Sequence, residues 1–306
     1  MITIMEAAAE LARFTGANAF GYFKKALSAE LKQDGTPVTA ADRTSEELAR
    51  KWIEQRFPSD GILGEEFGAV RPDARRRWII DPIDGTKAFI RGVPFWGSMI
   101  AVVEGEDVLA GAVSFPALGE TLFAAPGEGC WWNDSRCSVS TVGDMTMATV
   151  LTTDTAFKGE PQKARGWEEL TRIASISRTW GDCVGYLLVA TGRAEVMADP
   201  IVSPWDVAAV MPAVVEAGGV LRIGTAKQVR SGGASSQRMQ HSQMSRGRYF
   251  VELMRSSRDE TVRSLKARFH EEQRLGYSHH AGRNNRHGLD GCACRSGSAR
   301  ADHCYR

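Results

Sequence analysis

Apolar residues return every three or four positions at the start of the chain. Ile4, Ala8, Leu11 and Phe14 share one helical face, which predicts an amphipathic helix over residues 3–27. Asp34-Gly35 and Pro37 then mark a loop or short hairpin. Thr39 and Asp42 form a capping-box pattern that opens a second helix through Leu48, Trp52 and Ile53, stopping at Pro58. Beyond it the helical period is lost. Gly61–Gly64 is a short apolar piece between glycines that leads to Glu65-Glu66, an acid pair whose ordinary reading is a solvated turn, and Arg75–Arg77 reads as a solvated loop. Trp78-Ile79-Ile80 is aromatic and β-branched, the composition of a buried strand. Pro82 lacks a backbone donor and is expected to turn the chain. An antiparallel meander follows, with strands Ser98–Val103, Val108–Ser114, Thr121–Ala125 and Cys130–Trp132 between Gly- and Pro-rich turns.

The second half mixes the two periods. A strand is predicted near Thr149–Thr153, a helix around Trp167–Ala174, an apolar helix over Cys183–Ala190 and a strand over Ala194–Ala198 ending at Asp199. Ser203 is a good cap and Pro204 suits a first helical position. They predict one helix with Val207, Met211 and Val214 as its buried stripe, closed by Gly218-Gly219. After Leu221 the pattern lapses into an Arg-, Ser- and His-rich string, with one short helix plausible between Tyr249 and Leu275.

Charge sharpens that break. Residues 1–221 carry 21 Lys/Arg against 30 Asp/Glu, whereas residues 222–306 carry 17 against 7. All six His lie in the second part and all eight Trp in the first. An acidic body without His excludes a Ser-His-Asp triad or a His-ligated zinc built from its own residues. It favours carboxylate–metal chemistry. No apolar run is long enough to span a membrane, and six cysteines without a C-x-x-C pair read as reduced thiols, which together suggest a cytoplasmic protein.

The apolar strand runs straight into Asp81-Pro82-Ile83-Asp84-Gly85-Thr86. Two carboxylates three apart and a peptide carbonyl are hard oxygen ligands, suited to Mg²⁺. Gly85 lets backbone approach a ligand, and the Thr86 hydroxyl can orient water. Each acid has an ordinary alternative: a surface turn for Asp81 and Asp84, a first-turn acid for Asp42 and Asp206.

Taken in order and spacing, Gly64-Glu65-Glu66, Asp81-Pro82-Ile83-Asp84-Gly85-Thr86 and Trp205-Asp206 with Glu216-Ala217-Gly218-Gly219 resemble the inositol monophosphatase-like phosphatases, over roughly residues 1–220. The resemblance implies an α/β fold, a layered α-β-α-β-α sandwich of two subdomains, and Mg²⁺-dependent hydrolysis of a small phosphate monoester by attack of a metal-activated water. By motif position Glu65, Asp81, the Ile83 carbonyl, Asp84 and Asp206 hold metal, with Glu65, Thr86 and Asp42 in catalysis. Thr86, assisted by Asp42, orients the water; Gly85 and Thr86 offer N–H groups to the phosphate. Such hydrolysis is slow enough unaided that an enzyme supplies on the order of 20 kcal/mol.

Lys87–Trp96 and Trp180-Gly181-Asp182 resemble the histidinol-phosphate phosphatase branch, which belongs to histidine biosynthesis. Asp182, with Asp199, is expected to pair with the substrate amine and Arg178 to position it. The alternative for Asp182 is a cap on the helix beginning at Cys183. Alternative functions are an inositol-1-phosphate or related monophosphatase, or an inactive relict whose basic tail binds nucleic acid. The leading reading has a small phosphate ester as partner rather than nucleic acid or a membrane, and leaves room for a homodimer. The implied division is residues 1–145 as a metal- and phosphate-binding subdomain, 146–221 as an incomplete α/β subdomain, and 222–306 as an atypical tail. There the resemblance stops, which suggests a shifted reading frame near residues 221–230 and a largely disordered tail.

Overall fold

Two β-sheets with helices between them organise the protein. The computed structural model describes residues 2–25, 28–32, 35–157 and 161–224 and the backbone of 249–255. All lie in one compact unit, Met1–Val262. In chain order the elements are α1 (Ile4–Phe20), β1 (Glu30–Leu31), β2 (Pro37–Val38), α2 (Ala40–Arg56), β3 (Gly61–Gly64), β4 (Gly68–Val70), β5 (Arg76–Asp84), α3 (Thr86–Phe89) and β6 (Gly97–Glu104). Then come β7 (Asp107–Phe115), β8 (Glu120–Ala125), β9 (Gly129–Trp132), β10 (Ser135–Arg136), β11 (Thr149–Leu151), α4 (Pro161–Ile173), β12 (Ile176–Arg178) and α5 (Asp182–Ala190). The last are β13 (Val196–Val202), α6 (Pro204–Ala208), α7 (Val210–Glu216), β14 (Gly219–Gly224) and β15 (Tyr249–Arg255).

The first sheet has eight strands in the order β10-β9-β8-β7-β6-β5-β3-β4, with β3 and β5 parallel. Successive side chains of β5 point to opposite faces. Ile80 and Trp78 pack with Leu11, Trp52 and Ile53 of α1 and α2, while Ile79 packs on the face covered by α5 and α7. That second face also holds Leu151 and Met197 from the second sheet, so α5–α7 lie between the sheets. The second sheet runs β12-β11-β13-β15-β14. The result is the expected layered α/β sandwich.

Several local expectations need correction. The first helix ends at Phe20, and residues 21–25 form turns in which Lys24 has a positive φ. Gly61–Gly64 is a strand, parallel to β5, and only Glu65–Phe67 turn. Arg76 and Arg77 belong to β5; Arg76 Nε reaches Asp60 Oδ2 at 2.6 Å. β5 does not stop at Pro82. It continues to Asp84 because its pairing with β6 is irregular between Asp81 and Asp84, which accommodates the missing donor. The Ser98 hydroxyl donates to the Pro82 carbonyl at 2.6 Å. β13 likewise runs past Asp199, to Val202.

The helix after Ser203 is broken into α6 and α7 at Ala209. Pro212 has no N–H for the Ala208 carbonyl, so the ladder is interrupted there. In the tail, residues 249–255 form a strand, not the start of a helix. β15 pairs antiparallel with both β13 and β14. The remaining expectations for the tail, including the frame shift and the disorder, fall outside the described residues.

Candidate functional site

One carboxylate oxygen from each of Asp81, Asp84 and Asp206 lies within 4.8 Å of the others. Asp81 and Asp84 are carried by the end of β5, in the middle of the first sheet. The irregularity around Pro82 aims both inward, and Asp81 Oδ1 accepts the Ile83 N–H at 3.0 Å. Asp206 comes from the first turn of α6, which packs on β5 and β6. Its carboxylate accepts the Ser203 N–H at 2.6 Å, completing a capping box that fixes the side chain.

The electrostatics are those of an uncompensated acidic nest. Burial pushes the Asp81 carboxyl well above its usual range, and Glu65, Asp84 and Asp206 push it further. Asp84 is raised to about 8, by burial first and then by Asp206, against the opposing pull of the Cys183 N–H. Asp206 is also raised to about 8, again chiefly by burial, with Glu65 adding to it. Three hard oxygens that repel one another at this spacing fit a divalent cation.

Glu65 lies beside this group rather than in it. Its N–H is tied to the Ile80 carbonyl at 3.2 Å, and its carboxylate is close enough to raise Asp81. Lys32 Nζ sits 2.7 Å from both Glu65 Oε1 and Glu66 Oε1. Burial lifts Glu66 to about 7 despite that ammonium. The turn itself is held by Glu46, a fully buried acid on α2, whose carboxylate accepts the Glu66 N–H at 2.7 Å and the Phe67 N–H at 3.2 Å. Sequence reading missed Glu46 and Lys32. The only hint of Glu46 was its i,i+4 pair with Arg50, which is ordinary on a helix.

Gly85 caps α3 with a φ of +88°, and a Cβ there would meet the Phe95 carbonyl oxygen at 2.6 Å, so glycine is required. The Thr86 hydroxyl donates to the Ile83 carbonyl at 3.0 Å. Asp42 is buried and accepts from the Thr39 N–H and hydroxyl at 2.8 and 2.6 Å, the ordinary capping role for a first-turn acid.

The expected substrate residues divide. Asp182 is not a helix cap: Gly181 holds that position, and Asp182 begins α5 with a left-handed φ of +49°. Burial drives its carboxyl up, Asp84 and Asp199 drive it further and Lys87 pulls it back; the next residue, Cys183, donates its N–H to Asp84, which sets the start of α5 against the acidic nest. Asp199 is engaged elsewhere. Its two oxygens accept from the Thr153 hydroxyl and from the Tyr186 hydroxyl at 2.8 Å, which fix its orientation. Arg178 is exposed on β12 and stacks on Trp180 at 5.9 Å. No helix among the described residues is long and apolar enough to cross a membrane.

A histidinol-phosphatase of Chlorobaculum parvum is 48% identical over 217 residues, 70% of this chain and 83% of the relative. One from Mycobacterium tuberculosis is 41% identical over 200 residues, 64% of this chain and 77% of the relative. Among solved structures, the extragenic suppressor protein SuhB of Bartonella henselae superposes with a TM-score of 0.71 at 25% identity, covering 81% of this chain and 92% of that one. An IMPase of Thermotoga maritima gives 0.70 at 27%, covering 86% and 96%. The profile of the inositol monophosphatase family matches residues 2–274, well past Leu221, where the resemblance had been expected to stop. With that match running through β15 and the acids of β5 and α6 meeting at one point, the chain belongs to the inositol monophosphatase family.

Proposed function

We propose that this phosphoric monoester hydrolase acts on histidinol phosphate, with Mg²⁺ held by Asp81, Asp84 and Asp206 and completed by Glu65 and the Ile83 carbonyl. The observation that carries the proposal is the meeting of Asp81, Asp84 and Asp206 within 4.8 Å, from positions up to 125 residues apart in the chain. When bound, the metal supplies countercharge to the phosphate and lowers the pKa of water. Lys32 must give up Glu65 for that carboxylate to join the set. Thr86, released from the Ile83 carbonyl and assisted by Asp42, orients the attacking water. The Gly85 and Thr86 N–H groups receive the phosphate. Asp182 pairs with the substrate amine, and Arg178 helps to position the substrate. An acid facing a site already rich in acids adds nothing to phosphate binding. It makes sense against a cation, and histidinol phosphate carries one where inositol phosphate and fructose 1,6-bisphosphate do not.

Phosphate release by the full chain from those three esters, with and without Mg²⁺, tests this. Mg²⁺-dependent release with the highest kcat/KM on histidinol phosphate is expected. A higher kcat/KM on inositol 1-phosphate would overturn the substrate, and Mg²⁺-independent or absent release would overturn the hydrolase itself.

A further inference from the structure

Asp182 stands in a left-handed backbone conformation that non-glycine residues adopt at a cost. The surrounding structure must therefore hold it there. Its N–H donates to the Thr153 Oγ at 2.8 Å. Thr153 sits just beyond β11, and its own hydroxyl proton goes to Asp199 on β13. The Thr153 N–H points at the same Asp199 oxygen at 3.3 Å, while the Tyr186 hydroxyl holds the other at 2.8 Å. Because the Thr153 proton is committed to Asp199, only the lone pairs of Oγ face Asp182, and these can only accept. The chain is also pressed together at this junction. A Cβ on Gly181 would lie 2.3 Å from the Thr153 Cα and 2.5 Å from its Oγ. Two independent features, a polarised hydrogen-bond chain and a close approach of backbones, thus fix the residue next to Asp84.

We propose that Thr153 is a positioning residue for substrate choice: anchored by Asp199 and Tyr186, it holds the start of α5 so that the Asp182 carboxylate faces the substrate's cationic group. Asp81, Asp84 and Asp206 are carried by β5 and α6, and the start of α5 reaches them through the Cys183 N–H that Asp84 accepts, so the neutral ester serves as the control for any effect on the metal cluster. The inference rests on the proposed pairing of Asp182 with an amine.

Thr153→Val keeps the shape and removes both the acceptor and the donor, while Thr153→Ser keeps them. Kinetics of the full chain on histidinol phosphate and inositol 1-phosphate, with Tm as a check of folding, separate the outcomes. Thr153→Val should raise KM for histidinol phosphate roughly tenfold, the scale of one lost hydrogen bond, with a smaller change in kcat and in the neutral ester. Thr153→Ser should restore wild-type behaviour. Thr153→Val combined with Asp182→Asn should be no worse on histidinol phosphate than Asp182→Asn alone, since both remove one interaction. Losses that multiply in the double variant, equal losses on both esters, or failure of Ser to rescue would overturn the positioning role. Should Asp182→Asn alone leave histidinol phosphate turnover untouched, the amine pairing itself fails, a result visible without any Thr153 variant.

Discussion

The two sides of the site place their acids by different means. On one, Asp81 and Asp84 ride on β5, flanked by β6 and β3 and backed by Trp78, Ile79 and Ile80, all buried. Their position follows from the core of an eight-stranded sheet. On the other, Asp206 and Asp182 stand at the first turns of α6 and α5, between the sheets: a capping box with Ser203 fixes Asp206, and the N–H of Asp182 is held by Thr153. The second sheet, which carries the Asp199 that anchors Thr153, takes its fourth strand in order, β15, from the far side of a stretch that reads as a tail. The lesson is that half of one site is fixed by packing and the other half by a polar scaffold that relies on a distant segment.

The largest way to break this symmetry is to cut the chain after Gly224. Removing β15 exposes facing edges of β13 and β14, and with them the strand that carries Asp199. Loss of cooperative unfolding or of soluble protein is expected, whereas a chain ended at Val262 keeps β15 and should retain its Tm. Next in size is Trp78→Ala in the other half. This fully buried side chain should cost about 3–5 kcal/mol in a denaturant titration, with the acids still aimed correctly in whatever remains folded.

Asp84→Asn should lower phosphate release by at least about 100-fold, more than the loss of a supporting residue around a metal would cause. In metal-free protein the same change should raise Tm above about pH 8, where Asp84 would otherwise be ionised among the other acids. The pH dependence follows the same sign. Asp84 and Asp206 are raised from the usual carboxylate range to about 8, so the folded state binds protons that the unfolded state has released. Their contribution to stability is complete at low pH and is lost as pH rises through about 8. The Tm gain from Mg²⁺ should therefore grow between pH 5 and 8, since the metal competes with those protons. A gain independent of pH contradicts the assignment. The smallest expected effect is Thr39→Ala, which removes the cap of α2 and should cost about 1 kcal/mol in thermal unfolding.

The same contrast governs what could be read beforehand. The four strands of the meander are where strand-like runs between Gly- and Pro-rich turns placed them, and β6 reads as nearly continuous apolar sequence because both its faces are buried. Asp81 and Asp84 were conspicuous because an apolar strand rarely ends in acids without cause. Asp206 looked like any helix-start acid, and only its place in an ordered set of motifs singled it out. The partners of Asp199 were not legible, because Thr153 and Tyr186 are 46 and 13 residues away. β15 was invisible for a similar reason. Tyr249–Arg255 is a short apolar run within a polar stretch, and its strand state comes from β13 and β14 rather than from local preference.

Calorimetric titration of Mg²⁺ into the full-length chain and into its Asp206→Asn variant at pH 7.5 asks whether acids from both halves hold one ion. Expected is binding with proton release in the wild type, weakened by at least about tenfold in the variant. Equal affinity in the two proteins would show that the carboxylate of α6 takes no part, and that the meeting of these acids is not a metal site.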